Sequence, residues 1–361
     1  MRILNQIKRK NLVETSVQTL ARKRRTPILF FILPLPGLIA LLMFSYLPMV
    51  GLYIVFERYT YQGGLFGSEF VGLKNFEFFF RNMSNALRAT RNTLVINCFS
   101  ILFGIAVNVA LAIAVNEIRS VRFRKVTQSI MLFPHFISWV VVGMVFNVLL
   151  SEGSGVVNRL LVQLGMDPVK WYTNPWYWWP ILVFANVWKS MGYGSLVYFA
   201  ALTGFDQNLY EAAEIDGASR WQKIAKITLP LLKPTIIIMF LLQVGGILGG
   251  AVDPIMGMTQ LNPSLLETTD TIATFVYRSA MVNGNFASGS AITLYQSIFG
   301  FLFVTFCNWI VKKVDPELWG DRIFEKCGIR RDEGGDGGKT LEIRGKRRLS
   351  ARDGGANYQQ S

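Results

Sequence analysis

Six long apolar stretches separated by polar connections organise the chain, at about residues 28–56, 92–116, 126–150, 178–202, 234–252 and 290–311. Each has about the length that carries an α-helix across a bilayer. No Asp or Glu falls inside any of them. The first contains Pro34, Pro36 and Pro48, so it is expected to tilt, bend or fray at its outer end. The basic segment 1–27 before it is too long and too charged for the leading region of a signal peptide. A small-residue cleavage site is also missing, so a retained helix is expected.

The connections give an orientation. Residues 1–27, 117–125, 203–233 and 312–361 hold eight, four, four and twelve Lys or Arg, against five, two and one in 57–91, 151–177 and 253–289. Basic residues accumulate on the cytoplasmic side. Both termini are therefore placed in the cytoplasm, and the net charge of +14 reads mainly as topology, with anionic lipid contact second and no nucleic acid implied. Composition agrees: 51% of residues are hydrophobic and only 17% charged, which excludes a soluble enzyme, a disordered chain and a disulfide scaffold. Cys98 and Cys307 lie in apolar stretches, Cys327 lies in the tail, and His135 is the only histidine. No metal site, disulfide framework or catalytic triad follows from these. His135, beside Pro134, reads as a hydrogen-bonded packing residue. Trp171, Tyr172, Trp176, Tyr177, Trp178 and Trp179 crowd the outer start of the fourth stretch. They form an interfacial belt or, alternatively, a platform for sugars or an outside partner.

The tail 313–361 is polar and Gly-rich. Gly337-Gly338-Lys339-Thr340 has part of a phosphate-loop pattern, but Glu333 stands where a glycine is required and no strand is expected before it. A linker is the reading there.

The cytoplasmic connection 203–233 carries the most information. Leu209, Ala212 and Ala213 share one helical face, Gly217 supplies a turn or a close approach, and Trp221, Ile224 and Ala225 form a second apolar stripe. Two short helices with a break are expected, with Pro230 and Pro234 at the start of the fifth span. Glu211-Ala212-Ala213, Gly217, Ile227 and Leu229-Pro230 stand at the intervals EAA, three residues, G, nine residues, I, one residue, LP. This resembles the EAA loop in the permease subunits of binding-protein-dependent ABC importers. YEAAEIDGASRWQKIAKITLPLLKP is similar to the carbohydrate-uptake, MalF-like branch. LPGLIALLMFSYLPMVGLYIVFERY, VGLKNFEFFF, NEIRSVRFRKVTQSIMLFPHFISWVVV and WKSMGYGSLVYFAAL resemble the LplB-type permeases for oligosaccharides and polysaccharide fragments. The resemblance covers about residues 26–318.

That resemblance implies an all-α integral membrane protein with the six transmembrane helices of the type I importer (MetI-like) permease fold, in a bacterial plasma membrane. The permease domain would be 28–312. The loop would be a coupling helix on a separate ATPase subunit, contacted by Tyr210, Glu211, Ala212, Ala213, Asp216, Gly217, Arg220 and Trp221. Glu211 would meet a basic residue, the two alanines would pack tightly, and Gly217 would allow the bend. The chain itself would be no enzyme and bind no cofactor or metal; ATP and Mg would sit on two partner ATPase subunits. With one such loop per chain, a two-fold motor implies a second, related permease, and an extracellular solute-binding protein would deliver an oligosaccharide.

A substrate path is expected along the third and fourth spans, from Ser138, Trp139, Asn147, Asn186, Trp188, Lys189, Tyr193 and Tyr198. Aromatic faces and planar amides suit sugars. Interhelical hydrogen bonding or packing is the alternative for each. Lys189, at mid-membrane depth, costs about 2.5–3.5 kcal/mol on insertion scales, so it faces either the path or carbonyls and a partner subunit. Gly192 and Gly194 allow close helix approach or a local opening. Gln243, Asp253, Gln296 and Asn308 are weaker candidates. A non-sugar cargo is the first alternative. An ion-coupled secondary transporter is less favoured, since it would show buried carboxylates and internal repeats.

Overall fold

The computed structural model describes residues 33–81, 83–314, 329–332 and 340–343. The basic segment 1–27, the start of the first apolar stretch and most of the tail lie outside the described residues. The described residues form two compact units that divide at Asn75 and Phe76.

In the first unit, α1 runs from Leu35 to Phe56. It does not simply fray. A π-turn at Leu42–Tyr46 is followed by ten residues of tighter 3-10 winding, Leu47–Phe56. Pro48 sits at that junction, where its missing N–H removes an ordinary helical bond. Beyond it, β1 (Glu57–Arg58) pairs antiparallel with β2 (Glu69–Phe70). Arg58 and Glu69 close an exposed ion pair at 2.9 Å. Asn75 Nδ2 donates to the Val55 and Glu57 carbonyls at 2.8 Å each.

Helix α2, Lys74–Arg81, spans the boundary. The second unit is built on α3, Met83–Asn116, which packs along α7, Trp178–Thr203. Between them in sequence lie α4 (Val121–Phe136), α5 (Trp139–Leu150) and α6 (Val156–Gln163). After α7 come α8 (Gln207–Ile215), α9 (Arg220–Gly245), α10 (Asp253–Thr259), α11 (Leu266–Thr269), α12 (Ile272–Val282) and α13 (Phe286–Val314). In the tail, β3 (Ile329–Asp332) pairs antiparallel with β4 (Thr340–Ile343). A strand therefore does precede Gly337, contrary to expectation, but the Glu333 mismatch still stands against a phosphate loop.

Among the described residues, α1, α3, α9 and α13 are long and apolar enough to cross a membrane. The expected third span is not one rod: α4 and α5 meet at 94°. Counted as one broken span, they make a fifth. α7 has 26 residues, but Asn186, Lys189, Ser190 and Tyr193 dilute its apolar content. The chain is thus an all-α membrane protein apart from two small ribbons. Most large apolar side chains on the spans face outward, as they do when lipid is the solvent.

Three apolar clusters hold the second unit together. One joins α3 to α12 and α13 through Ile101, Ile272 and Ile292. Another surrounds Trp178 and Leu182, and a third surrounds Val109, Tyr198 and Leu232. Trp178, expected in an interfacial belt, is fully buried, and its indole N–H donates to the Trp171 carbonyl at 2.8 Å. The belt is represented by exposed Trp176 and Tyr177.

The connection 253–289, expected to be a loop, folds into short helices around a buried acid. Asp270 is fully buried and pairs with Arg278 at 2.7 Å and Arg88 at 3.1 Å. Asn92 Nδ2 donates to the Glu267 and Asp270 carbonyls. The start of α3 is thereby welded to α11 and α12.

Candidate functional site

Two places assemble sequence-predicted residues. The first is the connection after α7. Asp206 caps α8 by accepting from the Asn208 amide at 3.0 Å. The helix ends in a Schellman turn: Ala218 N donates to Ala213 O and Gly217 N to Glu214 O. Gly217 has φ +77°, and a Cβ there would meet nothing within 4 Å. Glycine is required for its dihedral, not for a close approach.

Ser219 then opens α9 with a capping box shared with Gln222. The expected second short helix is not separate. It continues through a π-turn, Ile224–Thr228, into Leu229–Gly245. The Leu229 amide reaches Ile224 O, so the extra residue absorbs the disturbance of Pro230. Two ties set the angle between α8 and α9. The Tyr210 hydroxyl lies 3.1 Å from Thr228 Oγ1. Lys223 Nζ pairs with Glu214 at 3.0 Å, and this hydrogen bond and charge hold the Glu214 carboxyl below the usual carboxylate range.

Tyr210, Glu211 and Arg220 line a polar hollow of about 450 Å3 with Glu117, Arg119, Glu214 and Lys223. Ala212 and Asp216 are exposed and Ala213 is half-buried, and none of the three lines it. Ile215 and Trp221 project from the turn at 87% and 80% exposure. Sequence reasoning missed the tie between Glu214 and Lys223, although opposite charges flanking a glycine turn were the available signal.

The second place is the α4–α5 break. Ser138 Oγ caps α5, accepting from Val141 N. Lys189 Nζ reaches across from α7 and donates to the carbonyls of Ile137 (2.6 Å), His135 (2.7 Å) and Pro134 (3.3 Å). An ammonium has three donors; they meet the His135 and Ile137 carbonyls, and share the Pro134 carbonyl with the Ile137 amide, at the negative end of α4. It also lies 5.5 Å from the centre of the Trp139 ring. This geometry satisfies the carbonyl reading of Lys189, and the same side chain lines the cleft beside it.

Beside this plug, a cleft of about 360 Å3 is lined by Trp139, Asn186, Lys189, His135 and Gln243. Asn97, Ser100 and Ser190 also line it, and sequence reasoning missed them. The α3 asparagine and serine look like ordinary interhelical polar residues in sequence. His135 packs as expected, but by stacking its ring on Tyr193 at 4.8 Å, and it also lines the cleft. Three path candidates stand elsewhere. Tyr198 is fully buried in the cluster with Val109 and Leu232, and Trp188 packs against the Trp178 cluster. Asn147 lies eight residues along α5 from Trp139, in a different cavity with Tyr172. Helical periodicity put these residues on the right helices without fixing which face each helix turns inward. Gly192 lets α7 approach the Met131 carbonyl, where a Cβ would clash, so close packing is its role. Among the described residues no cluster of His, Cys, Asp or Glu could hold a metal ion.

Residues 100–319 match the family described as binding-protein-dependent transport system inner membrane component. Protein LplB of Bacillus subtilis is 32% identical over 83% of this chain and 99% of its own length. The polygalacturonan/rhamnogalacturonan transport system permease protein YteP of the same organism is 33% identical, over 80% and 88% of the two chains. A crystal structure of a bacterial alginate ABC transporter, in complex with alginate pentasaccharide-bound periplasmic protein, contains a chain that superposes with a TM-score of 0.70. That chain is 35% identical, and the match covers 79% of this chain and 94% of that one.

Proposed function

Since the chain belongs to the family of binding-protein-dependent transport system inner membrane components, we propose that it is the permease subunit of an ATP-driven importer for an oligosaccharide or polysaccharide fragment. An extracellular solute-binding protein hands the cargo over; the alginate transporter's complex with a pentasaccharide-bound periplasmic protein supports such a partner. A second, related permease and two ATPase subunits complete the assembly, and the ATPase subunits hold ATP and Mg. The assembly sits in a bacterial plasma membrane. The proposed topology has six spans, with α4–α5 as the third and α7 as the fourth, and both termini in the cytoplasm.

The observation that carries this reading is the elbow between α8 and α9. It is rigidly tied from behind by Tyr210–Thr228 and Glu214–Lys223, and it projects Ile215 and Trp221 into solvent. Exposing two large apolar side chains on a stiff turn is unfavourable unless a partner covers them. The proposed partner is an ATPase subunit. Trp221 is the buried anchor of that contact, Glu211 and Arg220 are its charged rim, Ala212 and Ala213 give close approach, and Asp216 and Gly217 make the turn. Closure of the ATPase dimer on ATP moves the elbows and biases the spans between inward-open and outward-open states. The cleft at Trp139, Asn186 and Lys189 is the proposed cargo site inside the membrane.

The test is uptake in proteoliposomes containing the whole assembly. Transport is expected to require ATP, the ATPase subunits and loaded binding protein. Uptake driven by an ion gradient alone would refute the reading. Trp221→Ala is expected to release the ATPase subunits on size-exclusion chromatography, and a stable complex with full transport would remove the role given to the elbow.

A further inference from the structure

A cavity of about 950 Å3 lies between α5, α10 and the segment that follows α10. It is separate from the Lys189 cleft. Gly143 and Gly257 line it, and there α5 and α10 touch backbone to backbone: a Cβ on Gly143 would clash with the Gly257 carbonyl. Above them the chain does something costly. Gln260 and Leu261 have φ of +51° and +54°, two consecutive left-handed residues without a glycine. Each such residue costs about 1–3 kcal/mol and persists only where its surroundings impose it.

The surroundings are specific. Gln260 N donates to Met256 O at 3.0 Å and Asn262 N to Thr259 O at 2.9 Å. Asn262 commits both ends of its side chain to the loop: Nδ2 donates to Tyr172 O at 3.1 Å and Oδ1 accepts from Ser264 N at 3.0 Å. The result holds the exposed Gln260 at the cavity, which Asn147 of α5 also lines. Burial pushes the Tyr172 hydroxyl up, and the Asn147 side chain beside it pulls it partly back. Met144, Met256 and Met258 supply soft, adaptable apolar wall. No charged side chain lines the cavity. Neutral amides beside polarizable apolar surface match a ring that offers hydroxyls along its edge and C–H groups on its faces.

We propose that this cavity is a second carbohydrate subsite, which reads the hydroxyls of a stretch of the cargo chain lying outside the inner cleft. This rests on the carbohydrate-importer reading above. The two sites are linked by α5: Trp139 lines the cleft and Asn147 the cavity, eight residues and about 12 Å apart along the helix. A longer chain bridges both sites, and a disaccharide fills one.

The experiment uses the complete importer in proteoliposomes with size-fractionated oligosaccharides, from disaccharide to hexasaccharide, in neutral and uronate series. Gln260→Gly removes the carboxamide and relieves the left-handed strain, so it does not threaten folding. Asn147→Ala removes the amide that α5 contributes to the same cavity. Each variant is expected to raise the half-saturating concentration of hexasaccharide about five-fold, the factor for one neutral hydrogen bond. The penalty shrinks toward the disaccharide and is similar in the two series. A penalty equal at all lengths, no penalty, or one confined to uronates would each overturn the subsite. Absence of ATP-dependent uptake of every fraction by the unsubstituted chain would instead overturn the carbohydrate-importer reading.

Discussion

At the scale of single residues, the half-buried Lys189 and the fully buried Asp270 show how a membrane protein settles a charge away from bulk water. Lys189 gives every N–H to a carbonyl of the broken helix. Lys189→Met leaves the His135 and Ile137 carbonyls without that donor, while Pro134 O keeps the Ile137 amide, a loss of about 2–4 kcal/mol. A clearly lower unfolding temperature in detergent is expected, with Lys189→Arg recovering part of it, and an unchanged midpoint for Lys189→Met would refute the capping role. Asp270 serves Arg88 and Arg278 together. Asp270→Asn strands two guanidinium groups in a partly buried site and is expected to cost about 3–5 kcal/mol, read as lost folded yield or a lowered thermal midpoint. Gly217 was legible from sequence because its spacing belongs to a motif. Lys189 was legible as a charge needing a partner. Its partners were not, because the His135 and Ile137 carbonyls are freed only by a bend between Phe136 and Trp139 that no side chain announces. Asp270 was illegible: it lies in a connection with a single basic residue, and Arg88 comes from about 180 positions away.

At the scale of elements, hydropathy placed the apolar helices well and their ends poorly. α3 begins at Met83, before the expected Asn92, because Arg88 and Arg91 are helical and pair with Asp270 and Glu267. The fifth span was expected to reach residue 252, but α9 ends at Gly245, where a Gly-rich run begins. The 94° break escaped detection because Ser138 looks, in sequence, like one polar residue in an apolar run and acts as a cap. The α8–α9 pair yields a pH prediction. The Glu214 carboxyl is held below its ordinary value by Lys223, so the contact is fully present above the unfolded carboxylate value of about 4.3 and is lost as pH falls through the lowered one. Amide exchange in α8, corrected for intrinsic rate, is therefore expected to be flat between pH 6 and 8. A rise in that window would mean that another group controls the turn. The glycine contact between α5 and α10 is equally testable. Gly143→Ala forces backbone against backbone and is expected to cost about 1–3 kcal/mol by overpacking, seen as a lower thermal midpoint than Ala substitution at the uncrowded Gly300.

At the largest scale, the second unit is a set of outward-facing apolar helices around the α3–α7 pair, with polar chemistry at the elbow and at the α4–α5 break. The topology makes a prediction of its own. Single cysteines at Ser219 and Gln260, in a background lacking native cysteines, are expected to react with an impermeant thiol reagent from opposite faces of sealed vesicles. Reaction of both from one face would refute the proposed orientation. The broad architecture was readable in sequence because lipid imposes a simple rule on every span. The cavities were not, because they depend on which faces of neighbouring helices meet.

The unbroken run of α9 from Arg220 to Gly245 has a mechanical consequence. Twenty-six helical residues make a push rod about 39 Å long. Its lower tip carries Trp221, and its upper third carries Gln243 to the cleft. A 10° swing about either end displaces the other by about 7 Å, more than one helical turn. Leverage of that size lets a small stroke at the Trp221 tip open or shut a gap beside Gln243 without any intermediate gearing.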